Sequence, residues 1–360
     1  MSDLSREAIA TVDPQGMLGL VLETPAHLTD ALWRVESAGI RPGEAAGGLA
    51  VAGMGGSAIG ADLAAAAIGR RATRPLRTLR GYELDPWIGA DAAVLCASYS
   101  GNTEETLACY QAAGELGAWR IALTTGGKLA ELARADGVPV IGVPGGMQPR
   151  AAVGYMTVCA LEVAALCGAA PSLRGEVEAA ARLLTALTDE WGPDAPDESL
   201  PKSLARTLQD SIPVVYGGGA TAPVARRWKA QINENAKLSA FSAELPEADH
   251  NEICAFEGET PHAVIFLDDP EGHPRVRRRM ELTAEIVRGG ARAVERVEAL
   301  GDTALERVMS LVFLGDLVSV YLATLEGVDP TPIEVLDRFK AALAVVASGA
   351  PTSRPRSTPR

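Results

Sequence analysis

The sequence predicts an α/β protein made of two doubly wound parallel-sheet domains in tandem. Short apolar runs alternate with helical runs, which is typical of parallel βαβ units with helices on both faces of a sheet. The 360 residues are enough to build two separate cores. An apolar strand that runs into a glycine turn occurs twice, as "LAVAGMGG" (49–56) and as "IPVVYGGG" (212–219). We therefore interpret the chain as a pseudo-repeat of one fold.

The first half contains five candidate strands, and most of them are near-continuous apolar runs, as expected of strands that are buried on both faces. They are "GLAVAGM" (48–54), "PLRTLR" (75–80), "AAVLCASYS" (92–100), "RIALTT" (120–125) and "VPVIGVP" (138–144). A later amphipathic helix ends near Trp191. These elements predict an N-terminal domain over residues 1–191, with a leading helix before its first strand.

The second half begins after "GPDAPDESLPKS", which is predicted to be a linker over 192–203. The strands predicted beyond it are "IPVVYGGG" (212–219), "LSAFSAE" (238–244) and "HAVIFLDD" (262–269), with a helix at 221–237 after the first of them. We predict a second domain over 204–348. The Pro- and Arg-rich residues 349–360 are predicted to be a disordered tail.

Charge and cysteine content narrow the class of protein. A net charge of −13 argues against binding to nucleic acid or to an anionic membrane surface. The apolar stretch 151–170 is interrupted by Glu162, so we interpret it as a buried or interface helix and not as a membrane span. The five cysteines are odd in number and show no CxxC spacing, which favours core residues in a reducing cytosol. We expect a cytoplasmic protein with no metal and no cofactor.

The glycine turn "VAGMGGSAIGADLA" (51–64) points to an anionic ligand but does not identify it. Gly53, Gly55 and Ala58 fit a degenerate dinucleotide fingerprint, which is a weak signal by itself. Arg80 lies where an NAD site needs an acidic residue, so a bound dinucleotide would be NADP. A Walker A loop is excluded because no Gly-Lys-Ser/Thr follows.

The stretch "SYSGNTEET" (98–106) supplies a second polar turn, after the third predicted strand. Ligands of open parallel sheets bind outside the carboxyl ends of the strands, so the two turns can face one ligand. Hydroxyls before a helix can be simple N-caps, but four of them in two glycine turns favour a cradle for a phosphate dianion. Its predicted residues are Gly55, Gly56, Ser57, Ser98, Ser100 and Thr103.

These turns resemble the sugar isomerase (SIS) domain, a module that binds sugar phosphates. The second half contains "NENAK" (233–237) followed by "ELPEADHNEI" (244–253), which resembles the bifunctional phosphoglucose/phosphomannose isomerases of archaea and bacteria. That family consists of two SIS domains, and the resemblance covers Met17 to Lys340. It implies an enzyme that interconverts glucose 6-phosphate, and mannose 6-phosphate, with fructose 6-phosphate through a cis-enediolate.

The resemblance also implies roles for individual residues. Glu234 would move the proton between C1 and C2, and His250 would open the sugar ring. Arg150, in "MQPRAAVGY", would stabilise the enediolate. Lys340 would assist ring opening, and Thr331 would leave room for rotation about C2–C3, which admits mannose 6-phosphate. The family further implies a homodimer in which His250 reaches the active site of the other subunit.

Two other functions stay open at this point. The first is a non-catalytic sugar-phosphate sensor that keeps only the cradle. Glu234, His250 and Arg150 count against it, because a sensor has no need of a base at C2. The second is an NADP-dependent enzyme that uses Arg80.

Overall fold

The structure is a computed structural model that describes residues 4–347, so the predicted tail at 349–360 lies outside the described residues. The strands are β1 (Gly48–Gly53), β2 (Leu76–Leu79), β3 (Ala92–Ala97), β4 (Trp119–Thr124), β5 (Val140–Gly142), β6 (Ile212–Gly218), β7 (Phe241–Leu245), β8 (His262–Asp268) and β9 (Ala293–Glu298). The helices are α1 (Arg6–Val12), α2 (Met17–Leu22), α3 (Thr24–Ser37), α4 (Gly55–Ile68), α5 (Glu104–Glu115), α6 (Gly127–Ala135), α7 (Val153–Leu166), α8 (Arg174–Trp191), α9 (Leu200–Leu208), α10 (Ala222–Gln231), α11 (Pro274–Val287), α12 (Ala304–Glu326) and α13 (Glu334–Ala347).

The first sheet is entirely parallel, with strand order β2-β1-β3-β4-β5. β1 and β3 are buried along their whole length, which explains why their sequences are continuous apolar runs. The strand order reverses between these two strands, which is the switch point where parallel sheets bind ligands. Both polar turns therefore lie at this switch point.

The second sheet is also parallel, with order β7-β6-β8-β9. The structure thus confirms the two doubly wound α/β sheets. The edge strand β9 was missed by the sequence analysis, because its residues "AVERVE" are polar and partly exposed and lack a buried-strand pattern. The switch point of the second sheet lies between β6 and β8.

Helix α12 joins the two halves and was not predicted from the sequence. It begins with a capping box between Thr303 and Glu306 and ends at Gly327. It is buried on nearly every side and packs against α8, α9, α10 and α4. The main hydrophobic core consequently extends from the N-terminal helices to α12 without interruption.

Two helical segments are long and apolar enough to span a membrane by length and composition, Pro149–Leu166 and Ala304–Glu326. In an 18-residue stretch of each segment, 78% and 94% of the residues, respectively, are buried inside the protein. Their apolar character is accounted for by packing within the core. The prediction of a buried helix over 151–170 agrees with this position.

Three local predictions differ from the structure. Helix α9 begins at Leu200, inside the predicted linker, where the buried Lys202 ammonium donates to the carbonyls of Pro193 (2.9 Å) and Ala195 (2.8 Å). The helix predicted over 221–237 ends at Gln231 and continues as a π-helical turn, Ile232–Ala236. Cys254 is exposed, so its assignment to the core was wrong, whereas the other four cysteines are buried. The domain boundaries themselves stay predictions.

Candidate active site

The first polar turn joins β1 to α4. Within residues 4–347, no side chain caps the N-terminus of α4, so its first backbone amides are free to meet an anion. The Ser57 hydroxyl accepts a hydrogen bond from the Tyr99 amide at 3.2 Å. Because a hydroxyl that accepts a bond keeps its own proton, Ser57 can still donate to a ligand.

The second polar turn joins β3 to α5 and uses its hydroxyls in the same way. Ser98 Oγ accepts from the Gly101 amide at 3.1 Å and lies 2.8 Å from Thr103 Oγ1. Ser100 Oγ accepts from the Asn102 amide at 3.3 Å. The backbone amides occupy acceptor positions of Ser98 and Ser100, and the bond between Ser98 and Thr103 uses one of their two hydroxyl protons. The other of these two protons and that of Ser100 can still be donated to a ligand.

Two glycines allow the close backbone approaches on which the cradle depends. Gly101 has φ +70°, and a Cβ there would lie 1.9 Å from the Gly126 carbonyl oxygen. A Cβ on Gly56 would lie 2.8 Å from the Pro149 carbonyl oxygen and 3.4 Å from Arg150 Cα. The first turn is consequently packed directly against the backbone of Arg150.

The Arg150 guanidinium, only 3% exposed, connects this turn to the second half of the chain. Its Nε donates to Asn235 Oδ1 (2.6 Å), and its Nη2 donates to the carbonyls of Pro330 (2.6 Å) and Thr331 (2.9 Å). Its Nη1 lies 3.3 Å from Glu234 Oε2.

A further bond joins Arg150 Nη1 to Gln148 Oε1 at 3.3 Å. An arginine has five N–H donors, so these five bonds use all of them. Burial lowers the pKa of Arg150, against the raising effect of the Glu234 charge. Gln148 and Asn235 were missed by the sequence analysis, although each is close in sequence to a predicted residue.

Glu234 lies on the π-helical turn after α10, and 32% of its side chain is exposed. It lines an open cleft of about 550 Å³ together with Asn233 and Lys237. The opposite wall of the cleft is formed by residues 332–336, at the start of α13. The carboxylate is thus held by Arg150 on one side and accessible from the cleft on the other.

The remaining predicted residues are placed differently. Thr331 is buried beside Arg150, and its hydroxyl has no hydrogen-bond partner within residues 4–347. His250 is exposed on the turn Glu247–His250, and the described residues show no bond between it and Glu234 or Arg150. Lys340 is exposed on α13. A single chain therefore brings together Arg150, Glu234 and Thr331 but not the other two.

Arg80 is paired with Asp62, and the same carboxylate accepts from Arg226 at 2.8 Å. The Arg80 guanidinium is thus paired with a carboxylate on α4. Across the part of the chain that the structure describes, no group of three or more His, Cys, Asp or Glu side chains is placed to hold a metal ion.

Residues 197–343 match the family model described as the bacterial phospho-glucose isomerase C-terminal SIS domain. The chain is 39% identical to a bifunctional phosphoglucose/phosphomannose isomerase of Caldicellulosiruptor bescii, over 82% of this chain and 89% of that protein. It is 34% identical to the protein of the same name from Aquifex aeolicus, over 82% and 90%.

Solved structures support the fold. A hypothetical protein from Thermus thermophilus superimposes with a TM-score of 0.73 at 18% identity, over 96% of this chain and 94% of that one. A glucose-6-phosphate isomerase like protein from the same organism gives 0.63 at 21% identity, over 95% and 99%.

Proposed function

The chain belongs to the bifunctional phosphoglucose/phosphomannose isomerase family, and on that premise we propose how its residues perform the reaction. The protein is an aldose–ketose isomerase that converts glucose 6-phosphate and mannose 6-phosphate to fructose 6-phosphate. The observation that carries the proposal is the contact of the cradle turn at Gly56 with Arg150, whose guanidinium holds Glu234 in the open cleft. Arg150 thus links the proposed phosphate turn to the proposed base, through its backbone at Gly56 and through its guanidinium at Glu234.

The phosphate is bound by hydroxyls and backbone amides without a cation in contact. The proposed ligands are the residues of the two turns: Gly55, Gly56, Ser57, Ser98, Ser100 and Thr103. Backbone amides at the start of α4 and hydroxyl protons all present positive ends to the dianion. This local polarity allows a chain with a net charge of −13 to bind an anion.

Glu234 is the proposed base. Its carboxylate removes the C2 proton of the open-chain aldose, which leaves a cis-enediolate with the negative charge on O1. The hydroxyl proton on O2 then moves to O1, and Glu234 returns its proton to C1, which gives the ketose. Removal of the C2 proton from either aldose produces the same enediolate, and one base can serve both aldoses if rotation about C2–C3 turns each C2 proton towards it.

Arg150 is proposed to stabilise the negative charge of the enediolate and to hold the base Glu234 in position. Its bonds to Pro330 and Thr331 also hold the backbone just before residues 332–336, which line the cleft. Thr331, with its small buried side chain, is proposed to leave the space in which the C2–C3 bond rotates between the glucose and mannose forms.

His250 and Lys340 are proposed to act in ring opening within a homodimer. The His250 side chain is exposed to solvent and is not covered by its own chain. Helix α13 presents exposed apolar side chains, with Val335 67% and Phe339 65% exposed. We propose that a second copy covers this face and places its own His250 at the cleft. We also propose that the protein works in the cytoplasm.

The test is a coupled assay for fructose 6-phosphate with each aldose phosphate, with EDTA present. We expect turnover of both sugars by the wild type and a loss of about 10²–10⁴-fold in kcat in Glu234→Gln, which keeps the shape but not the base. A wild type that binds sugar phosphate without turnover would overturn the isomerase proposal and favour a sensor.

The shared site is tested by mixing two inactive variants, Glu234→Gln and His250→Asn. If His250 acts across the dimer, each mixed dimer has one site with both Glu234 and His250 intact, so activity returns on mixing. If His250 acts within its own chain, both sites of the mixed dimer are defective and the mixture stays inactive.

A further inference from the structure

The turn that carries His250 is held to its own domain on both sides of that residue. It consists of two short 3₁₀-helical segments, Glu247–His250 and Glu252–Phe256, between β7 and β8. Ala248 is buried in the apolar cluster of the second sheet, whereas the His250 side chain is exposed to solvent. The turn thus rests on the core of its domain and leaves the imidazole free to meet another molecule.

Asp249, the residue before His250, holds one side of the turn against α11. Its Oδ1 accepts from the Thr283 hydroxyl at 2.6 Å, and its Oδ2 accepts from Arg279 Nη1 at 3.1 Å. Thr283 is buried, and only 10% of the Asp249 side chain is exposed. Residues four apart lie on the same face of a helix, so both carboxylate oxygens are bonded to one face of α11. This arrangement restrains the rotation of the carboxylate and the backbone next to it.

Glu252, two residues after His250, holds the other side of the turn against β6. Its Oε2 accepts from the Tyr216 hydroxyl at 3.0 Å, and the buried Tyr216 ring is stacked on Phe266. Burial and the Glu252 charge raise the pKa of Tyr216, so its hydroxyl keeps the proton that it donates. His250 consequently lies between two side-chain bonds that lead to two different elements of its domain.

An exposed catalytic group depends on the backbone that carries it, because its own side chain is not enclosed. If His250 acts in the cleft of a second copy, as proposed above, the place of its imidazole in that cleft is set by its turn. A misplacement of about 1 Å can cost about 100-fold in rate. Bonds that restrain the turn before the substrate arrives therefore contribute to the rate.

We propose that Asp249 is a positioning residue for the reaction, which holds the His250 turn against α11 so that the imidazole reaches the substrate bound to a second copy of the chain. The bond between Tyr216 and Glu252 restrains the same turn from the side of β6. This assignment rests on the isomerase function, and on the role of His250, proposed above.

The first test compares Asp249→Ala and Asp249→Asn with Glu247→Ala, a control that removes an exposed acidic side chain from the same turn. We expect kcat of Asp249→Ala to fall about 10–100-fold for both aldoses with little change in KM, since the phosphate cradle and Glu234 are untouched. Asp249→Asn keeps an acceptor for Thr283 and should recover part of kcat. Glu247→Ala should match the wild type. An unchanged kcat in Asp249→Ala would overturn the proposal.

A double variant separates positioning from a general structural role. If Asp249 acts through His250, then Asp249→Ala/His250→Asn has the same kcat as His250→Asn alone, because no imidazole is left to position. A structural defect that is independent of His250 would multiply the two losses. Multiplied losses, or a His250→Asn variant as active as the wild type, would overturn the proposal.

Mixed dimers locate the defect in the chain that donates His250. When Asp249→Ala is mixed with an excess of Glu234→Gln, one site of each mixed dimer combines an intact Glu234 with a His250 whose turn is correctly held. Activity per Asp249→Ala chain should then return to that of a wild-type site. If mixing restores His250→Asn but not Asp249→Ala, the defect lies in the cleft of the variant chain itself, and the proposal fails. If neither variant is restored, the shared site is refuted, and with it the action of Asp249 across the dimer.

Tyr216→Phe provides the same comparisons without a change in the turn, and it serves if Asp249→Ala does not fold. It removes the hydroxyl that Glu252 accepts and keeps the ring that stacks on Phe266. We expect kcat to fall about 3–10-fold, the loss typical of one hydrogen bond, and to show no further loss in the His250→Asn background. The same loss in both backgrounds would contradict the proposal.

The outcomes remain distinct from those of the isomerase test. A wild type with no turnover would refute the proposed reaction. An active wild type whose Asp249→Ala and Tyr216→Phe variants retain their kcat would refute only the positioning role.

Discussion

At the carboxyl end of the first sheet, Gly53 of β1 pairs with Ala97 of β3, and at the same end of the second sheet Gly217 of β6 pairs with Leu267 of β8. The next residue along each partner strand is Ser98 in the first sheet and Asp268 in the second. The two sheets thus share one topology at their switch points but differ in the chemistry they present there.

Ser98 is buried and bonds to the Gly101 amide and to the Thr103 hydroxyl, without an ion pair. Asp268 is buried and accepts from Arg296 at 2.8 Å and from Arg277 at 3.2 Å. The neighbouring Asp269 accepts from Arg307 at 2.8 Å. The second switch point is therefore closed by ion pairs, whereas the first is left open for an anion.

The difference shows that the parallel-sheet fold offers a binding position without deciding whether it is used. In the mechanism proposed above, one copy of the repeat contributes the phosphate cradle. The other contributes the proposed base Glu234, which lies just beyond the end of α10.

The largest effect on KM is expected when the first switch point receives a carboxylate, the group that the second one already carries at Asp268. Ser100→Asp keeps an acceptor for the Asn102 amide at an exposed position but places a carboxylate beside the substrate phosphate. We expect KM to rise about 100-fold or more, because two like charges about 4 Å apart at a protein surface repel each other by several kcal/mol. Steady-state assays check this, with the neutral Ser100→Asn as control. Equal KM values for the two variants would contradict a phosphate at this turn.

An intermediate effect is expected at the second switch point. Asp268→Asn removes the charge shared by Arg277 and Arg296, and we expect a loss of about 2 kcal/mol in the free energy of unfolding. Urea denaturation measures it. KM should remain that of the wild type, and an increase in KM would mean that this end of the sheet also contacts substrate.

The smallest effect concerns two corresponding hydroxyls, that of Ser57, four residues after Gly53, and that of Thr221, four residues after Gly217. Thr221 Oγ1 accepts from the Gly218 amide (2.9 Å) and donates to the Leu267 carbonyl (2.8 Å). Thr221→Val should cost about 1 kcal/mol in unfolding free energy without a change in KM.

Ser57→Ala is the matched change in the first sheet. It should cost a similar amount of unfolding free energy and in addition raise KM, because Ser57 is a proposed phosphate ligand. Denaturation and steady-state kinetics on both variants, with Thr221→Ser as control, measure the two effects. A KM that rises in neither variant would remove Ser57 from the phosphate site.

The sequence by itself determined the two parallel sheets and the polar turns. Strands buried on both faces must be continuous apolar runs, so β1, β3, β6 and β8 could be read directly. The hydroxyls at 98–103 are close in sequence and belong to one turn, so their clustering needs no tertiary information. The edge strand β9 could not be predicted in this way, because a half-exposed strand contains charged residues and therefore lacks a continuous apolar run.

Only the tertiary structure decided how the cleft is assembled. The acceptors of Arg150 come from residues 148, 234–235 and 330–331, and no local rule predicts which of these segments meet. The left-handed turn at Lys237, like the break from α10 into a π-helical turn, depends on packing of that segment against α12. Local sequence specifies which groups are present, whereas burial and long-range contacts decide which of their donors remain free for a substrate.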